Sequence, residues 1–189
     1  MLSLRIRSNM ALVTMLRVRS GSLARMPGLQ PRQLGTYFAL IEAVSLFQHA
    51  VEQQLRADGD LSYVQFQILA RLSDAPDGKL RMTDLADGVV YSRSGLTYQA
   101  GLLEKRGLIT RAPTPDDERS VIVTVTDAGR ALVAQVLPGH IDVVRRMLLD
   151  PLRPRDLGHL SDVLGRVREH MRAAPPRSAR PRAGRGRNG

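Results

Sequence analysis

The sequence predicts a mainly α-helical chain of about six helices with one small β-hairpin. Three observations carry that expectation. Apolar residues recur at steps of three and four through most of residues 34–172. Near Val123 the step changes to two. Glycine, proline and aspartate cluster where one period gives way to the next.

The first helix is read over residues 34–57, from Leu34, Phe38, Ile41, Val44, Phe47, Val51 and Leu55 on one stripe. Asp58-Gly59-Asp60 ends it, and Leu61-Ser62 opens a second helix with Val64, Ile68, Leu69 and Leu72 on one side. A turn cluster, Asp74-Ala75-Pro76-Asp77-Gly78, follows. Met82 to Val89 is a short helix with Leu85 and Ala86 facing inward, and Val90-Tyr91 is a tight turn. Ser92 or Ser94 caps the next helix, whose apolar positions are Leu96, Ala100, Leu103 and in part Leu102. Gly107 stands where a left-handed residue closes a helix.

Leu108 to Arg111 is a short strand, and Val121, Val123 and Val125 alternate with Ile122, Thr124 and Thr126 in a second. The turn between them holds Pro115-Asp116-Asp117-Glu118-Arg119. Thr126-Asp127 caps a long helix carrying Leu132, Val136, Leu137, Ile141, Val144 and Leu148, which Pro138-Gly139 should bend or locally break. Pro154 begins the last helix, with Leu157, Leu160, Val163, Leu164, Val167 and Met171 on one face.

Charge is informative once it is located. The 189 residues carry a formal net charge of +10. Residues 1–32 hold six arginines and no acid, and residues 172–189 hold six more and no acid. Without those twelve, 16 bases face 18 acids, so residues 33–171 sum to −2. Basic ends attract any polyanion without sequence preference, so a nonspecific nucleic-acid-coating protein is the alternative reading. Residues 173–189, made of Ala, Pro, Arg, Gly, Ser and Asn, are expected to be disordered. Residues 1–32 read as a disordered basic extension, as a segment upstream of a start at Met10, Met15 or Met26, or as transit-like sequence.

Several function classes drop out. With no cysteine there is no disulfide, thiolate metal site or cysteine nucleophile. The four histidines show no metal-ligand spacing, so no metal and no cofactor are expected. No nucleophile–base pair, paired carboxylates or phosphate loop appears, which argues against an enzyme. No unbroken run approaches the ~18 apolar residues of a membrane span, so no membrane partner is expected.

Two short helices joined by a tight turn make a helix-turn-helix, and the hairpin that follows makes it winged. The second helix of such a unit meets the major groove with its N-terminal end. Ser92, Arg93, Ser94 and Thr97 supply short polar or basic groups there, with Tyr98 and Gln99 expected on the exposed side. Gln pairs bidentately with adenine, and apolar surface meets a thymine methyl. For Ser92 and Ser94 pure capping is the competing reading, and for Tyr98 it is packing against the wing.

In this order and spacing, Ser92-Arg93-Ser94-Gly95-Leu96-Thr97, Leu103-Glu104-Lys105-Arg106-Gly107-Leu108-Ile109, Asp117-Glu118-Arg119-Ser120 and Val123-Thr124-Val125-Thr126-Asp127-Ala128-Gly129-Arg130 resemble the MarR family of bacterial transcriptional regulators. The resemblance covers about residues 34–172. It implies a winged helix-turn-helix lobe over 61–126, and dimerisation helices over 34–57 and 127–172. The implied protein is a cytoplasmic, nucleoid-associated homodimer that binds a pseudo-palindromic operator in double-stranded DNA as a ligand-responsive repressor. Asp117 and Arg119 match the acid and the arginine that the family places at the minor groove. A small aromatic or anionic ligand is implied between the dimer helices and the DNA lobe, with His49, Tyr63, Gln67 and Arg71 as candidates. Many members carry a basic residue where Tyr98 stands and another where Leu102 stands, so this chain's base-reading set should differ from theirs.

Overall fold

A computed structural model describes residues 28–89, 92–114 and 117–173. Among them are six α-helices and three strands. In chain order these are α1 (Pro31–Gly59), α2 (Tyr63–Asp74), β1 (Lys79–Arg81), α3 (Met82–Val89), α4 (Arg93–Lys105), β2 (Ile109–Thr114), β3 (Asp117–Val125), α5 (Asp127–Val144) and α6 (Pro154–Arg172). The chain divides into two compact units, residues 1–51 and 52–189, with the boundary inside α1.

In the first unit α1 exposes Tyr37, Leu40, Val44 and Leu46. Between Arg32 and Glu52 its one carboxylate is Glu42. By length and composition alone the helix is therefore apolar enough to cross a membrane, which counting unbroken apolar runs does not detect. An apolar helix face that meets another protein surface passes the same test.

The second unit holds the lobe. α2 opens on a capping box: Ser62 Oγ accepts the Gln65 N–H at 3.2 Å, and Gln65 Oε1 accepts the Ser62 N–H at 3.0 Å. Its inner face buries Phe66, Ile68, Leu69 and Leu72. These join Leu55, Leu61, Leu85, Leu96, Leu103, Ile109, Val123 and Val136, all nearly or wholly buried. With so few aromatic residues, the core is aliphatic, as the composition requires.

The expected two-stranded hairpin is part of a three-stranded antiparallel sheet of order β1-β3-β2. The added strand, Lys79–Arg81, pairs Leu80 with Val123. Three residues are too few for a period-two signal, and the strand abuts both the turn at Gly78 and the start of α3. β2 runs three residues beyond Arg111, to Thr114. α5 is continuous through Pro138, which has no N–H for the Ala134 carbonyl. The irregularity falls farther on, as a π-turn at Arg145–Leu149 where the Asp150 N–H reaches the Arg145 carbonyl at 2.8 Å. α6 begins with Pro154 at its first turn, and no residue of it is buried.

Candidate nucleic-acid interface

α3 and α4 form the helix-turn-helix. α3 buries Leu85, Ala86 and Val89. Ser92 is the N-cap of α4, in extended backbone geometry, and its Oγ accepts the Gly95 N–H at 3.2 Å. Leu96, Ala100 and Leu103 are wholly buried and fix the rotation of α4. The opposite side exposes Ser94, Thr97 and Tyr98, the last at 64%. Tyr98 therefore projects outward and is not core. The side chain of Arg93 lies outside the described residues.

Gln99 is not on the exposed side. It is 8% exposed, and its Oε1 is buried without a hydrogen-bond partner. The reason is helical geometry. Gln99 is three residues after Leu96 and four before Leu103, so it lies on the inward stripe. It is removed from the residues available to read a base.

The helix ends where Gly107 adopts φ +69°, a left-handed conformation that costs glycine little. Its N–H reaches the Glu104 carbonyl at 2.9 Å, and the Leu108 N–H reaches the Leu103 carbonyl at 3.0 Å. The chain turns at once into β2, so the wing is set directly by the end of α4. Glu104 of α4 is tied to Arg111 of β2, with Arg111 Nε donating to Glu104 Oε2 at 3.0 Å and Nη2 donating to the same oxygen. These hydrogen bonds from the guanidinium hold the Glu104 carboxyl below its ordinary pKa. The pair braces the wing against the helix.

β2 and β3 pair from Ile109↔Val125 to Thr114↔Asp117, with a register irregularity at Pro113/Thr114. Asp117 and Arg119, read as turn residues from the sequence, belong to β3. The connection narrows to Pro115-Asp116, which lie outside the described residues, as do the side chains of Asp117 and Arg119.

The predicted ligand residues are only partly brought together. Tyr63, Gln67 and Arg71 follow one another at four-residue steps along α2. Arg71 lies against α3: a Cβ built on Gly88 would stand 2.7 Å from its Nη1. Its guanidinium thus braces α2 against the helix-turn-helix. His49 is exposed and belongs to the other unit.

The sequence reading missed two arginines with structural work. Arg106 donates to the Asp60 and Gly59 carbonyls at 2.8 and 3.1 Å, closing the C-terminal end of α1. Arg130 donates to the Ser73 carbonyl at 3.3 Å, near the end of α2. Both donors sit just after a helix end or start, and the fixed fork of arginine suits terminal carbonyls. A shallow recess between α3 and α4 was also missed. It is lined by Met82, Thr83, Ala86, Leu96 and Thr97. No group of three His, Asp or Glu among the described residues could hold a metal.

Residues 59–120 match the model of the MarR family. The HTH-type transcriptional regulator PecS of Dickeya dadantii is 34% identical over 113 residues, 59% of this chain and 67% of PecS. The HTH-type transcriptional repressor YetL of Bacillus subtilis is 28% identical over 61% of this chain and 68% of YetL. The structure is similar to Sco3205 of Streptomyces coelicolor, a MarR family regulator solved in complex with DNA. The TM-score is 0.74 at 30% identity, covering 78% of this chain and 92% of Sco3205. A winged helix-turn-helix with this motif order and these relatives has one assignment: the chain belongs to the MarR family of DNA-binding transcriptional regulators.

Proposed function

We propose that this regulator is a homodimeric repressor that binds a pseudo-palindromic operator and releases it when a small ligand binds. The observation that carries the DNA-reading part is the division of α4. Leu96, Ala100 and Leu103 anchor it, while Ser94, Thr97 and Tyr98 project from its first two turns. In this reading Ser92, Arg93, Ser94 and Thr97 take phosphates and base edges, and Tyr98 offers its ring to a thymine methyl. Arg119 enters a narrow minor groove, whose enhanced negative potential draws a guanidinium, and Asp117 orients it. Residues 61–126 serve as the reading lobe, and 34–57 with 127–172 as the dimerisation region. The name of YetL, a repressor, supports the sign of regulation.

Selection from random duplexes tests the proposal. The expected product is two half-sites about 10 bp apart centre to centre, bound at least ~10³-fold more tightly than random duplex at physiological salt. Failure to enrich any sequence would sink it.

For the ligand step, Tyr63, Gln67 and Arg71 offer a ring, an amide and a guanidinium in line, which suits a small aromatic acid; His49 is kept as a fourth candidate. Benzoate should raise the melting temperature and weaken operator binding in parallel, because it must favour the conformer that does not bind DNA. Unchanged operator affinity at saturating benzoate rejects that ligand class.

The acid-free ends favour a second reading, nonspecific coating. Removing residues 1–27 and 174–189 separates the two. A repressor keeps its preference for the selected duplex over random DNA, whereas a coating protein loses binding altogether.

A further inference from the structure

Of the residues that line the recess between α3 and α4, the DNA-reading proposal uses Thr97 alone. Buried Ala86 and Leu96 form its base, half-buried Met82 forms a wall, and exposed Thr83 and Thr97 stand at its rim. Its volume is about 140 Å³. Pockets for small organic ligands run from ~300 to ~1,000 Å³, so this one is too small for an effector. It offers no charged side chain, so it does not suit a phosphate.

Its position on the helix decides the occupant. Thr97 is three residues after Ser94 and next to Tyr98, all exposed on α4. Residues three apart share a helix face, so the recess opens on the face that is proposed to enter the groove. Among the groups that base pairs present in the major groove, the apolar one is the C5-methyl of thymine. A methyl group fits the recess and leaves the polar rim to its neighbours.

We infer that this recess is a receptor for one thymine methyl group in each half-site, with Met82, Ala86 and Thr97 as specificity-determining residues. The inference rests on the proposed DNA-reading role of α4. Met82 and Ala86 come from α3 and Thr97 from α4, so discrimination at this base depends on how α3 and α4 pack.

The test starts from a duplex selected by the full chain, with each thymine replaced in turn by deoxyuridine, which lacks the methyl group. At least one thymine per half-site should lose about 3- to 5-fold in affinity, the effect of removing one buried methyl. Ala86→Val puts two methyl groups at the base of the recess, so this protein should bind thymine and deoxyuridine alike at one such position, with other positions unaltered. Met82→Ala removes a wall without adding bulk, and should also bring the ratio toward one if the valine variant fails to fold. A preference that persists unchanged in the folded variants, or no methyl-sensitive thymine in an enriched duplex, overturns the inference while leaving the DNA-reading proposal standing. Selection that enriches no sequence overturns both.

Discussion

At the scale of single residues, the wing makes the sharpest prediction. Asp117 and Arg119 are two residues apart on β3. In the proposed wing contact the acid orients the guanidinium, which lowers the ordering cost of binding. Arg119→Ala should weaken binding to the selected duplex by ~1–3 kcal/mol. Asp117→Ala should cost less, and nothing further once Arg119 is already alanine. Additive losses in an anisotropy titration would show that the acid acts independently. A second prediction concerns His140. Burial against Phe66, with ring centroids 4.6 Å apart, pushes its pKa below the ordinary value, and its buried Nδ1 has no hydrogen-bond partner. The unfolded chain therefore takes up this proton first, near pH ~6.5. Stability should fall as pH drops from there toward the lowered folded-state value. The Glu104 pKa is lowered as well, so its contribution is also lost toward acid, in a lower window beneath ~4.3. His140→Leu should flatten the upper window alone, as read from urea midpoints at pH 7.5 and 5.5. An unchanged difference between those midpoints would place the titrating group elsewhere.

At the scale of elements, the junction between α4, β2 and α5 ties the helix-turn-helix to the wing. Thr126 caps α5 by accepting the Gly129 N–H at 3.1 Å, and its hydroxyl donates to the Gly107 carbonyl at 2.7 Å. Gly129 packs on the backbone of Leu108 so closely that a Cβ would lie 2.2 Å from the Leu108 carbonyl oxygen. Backbone cannot yield as a flexible side chain does. Gly129→Ala should thus cost roughly 1–3 kcal/mol or more by overpacking. A lowered melting temperature with a displaced wing checks it, and an unchanged melting temperature contradicts it. This junction was legible in the sequence, because Gly107, Thr126 and Asp127 are local signals of a helix stop and a helix start. The stripe of α4 was legible too, since Leu96, Ala100 and Leu103 are apolar at helical spacing. Gln99 is buried against the expectation from its polarity, because its position between Leu96 and Leu103 on the inward stripe decides its placement. β1 was not legible at all: its three residues are held by pairing with β3, about forty residues away in sequence, and carry no period of their own. Nor could local signals show the tie of Arg106 to Gly59 and Asp60, since that contact depends on tertiary placement.

At the scale of the whole molecule, α6 leaves its apolar stripe uncovered among the described residues. Its stripe of Leu157, Val163, Leu164, Val167 and Met171 is 41–69% exposed, and nothing in the helix is buried. A helix of 19 residues draws little stability from propensity alone and depends on covering its apolar face. On α1, Tyr37, Leu40, Val44 and Leu46 are likewise uncovered. In the proposed homodimer a second copy covers both faces, and a two-fold protein reads a two-fold site. The full chain should therefore run at twice its formula mass in light scattering at micromolar concentration. Leu164→Glu places a charge in the middle of the α6 stripe, where burial without a partner is costly. That variant should shift toward monomer and lose affinity for the paired half-sites far more than for a duplex carrying one. If the unsubstituted protein is monomeric at that concentration, the apolar faces of α1 and α6 have another purpose, and the two-half-site operator loses its structural basis.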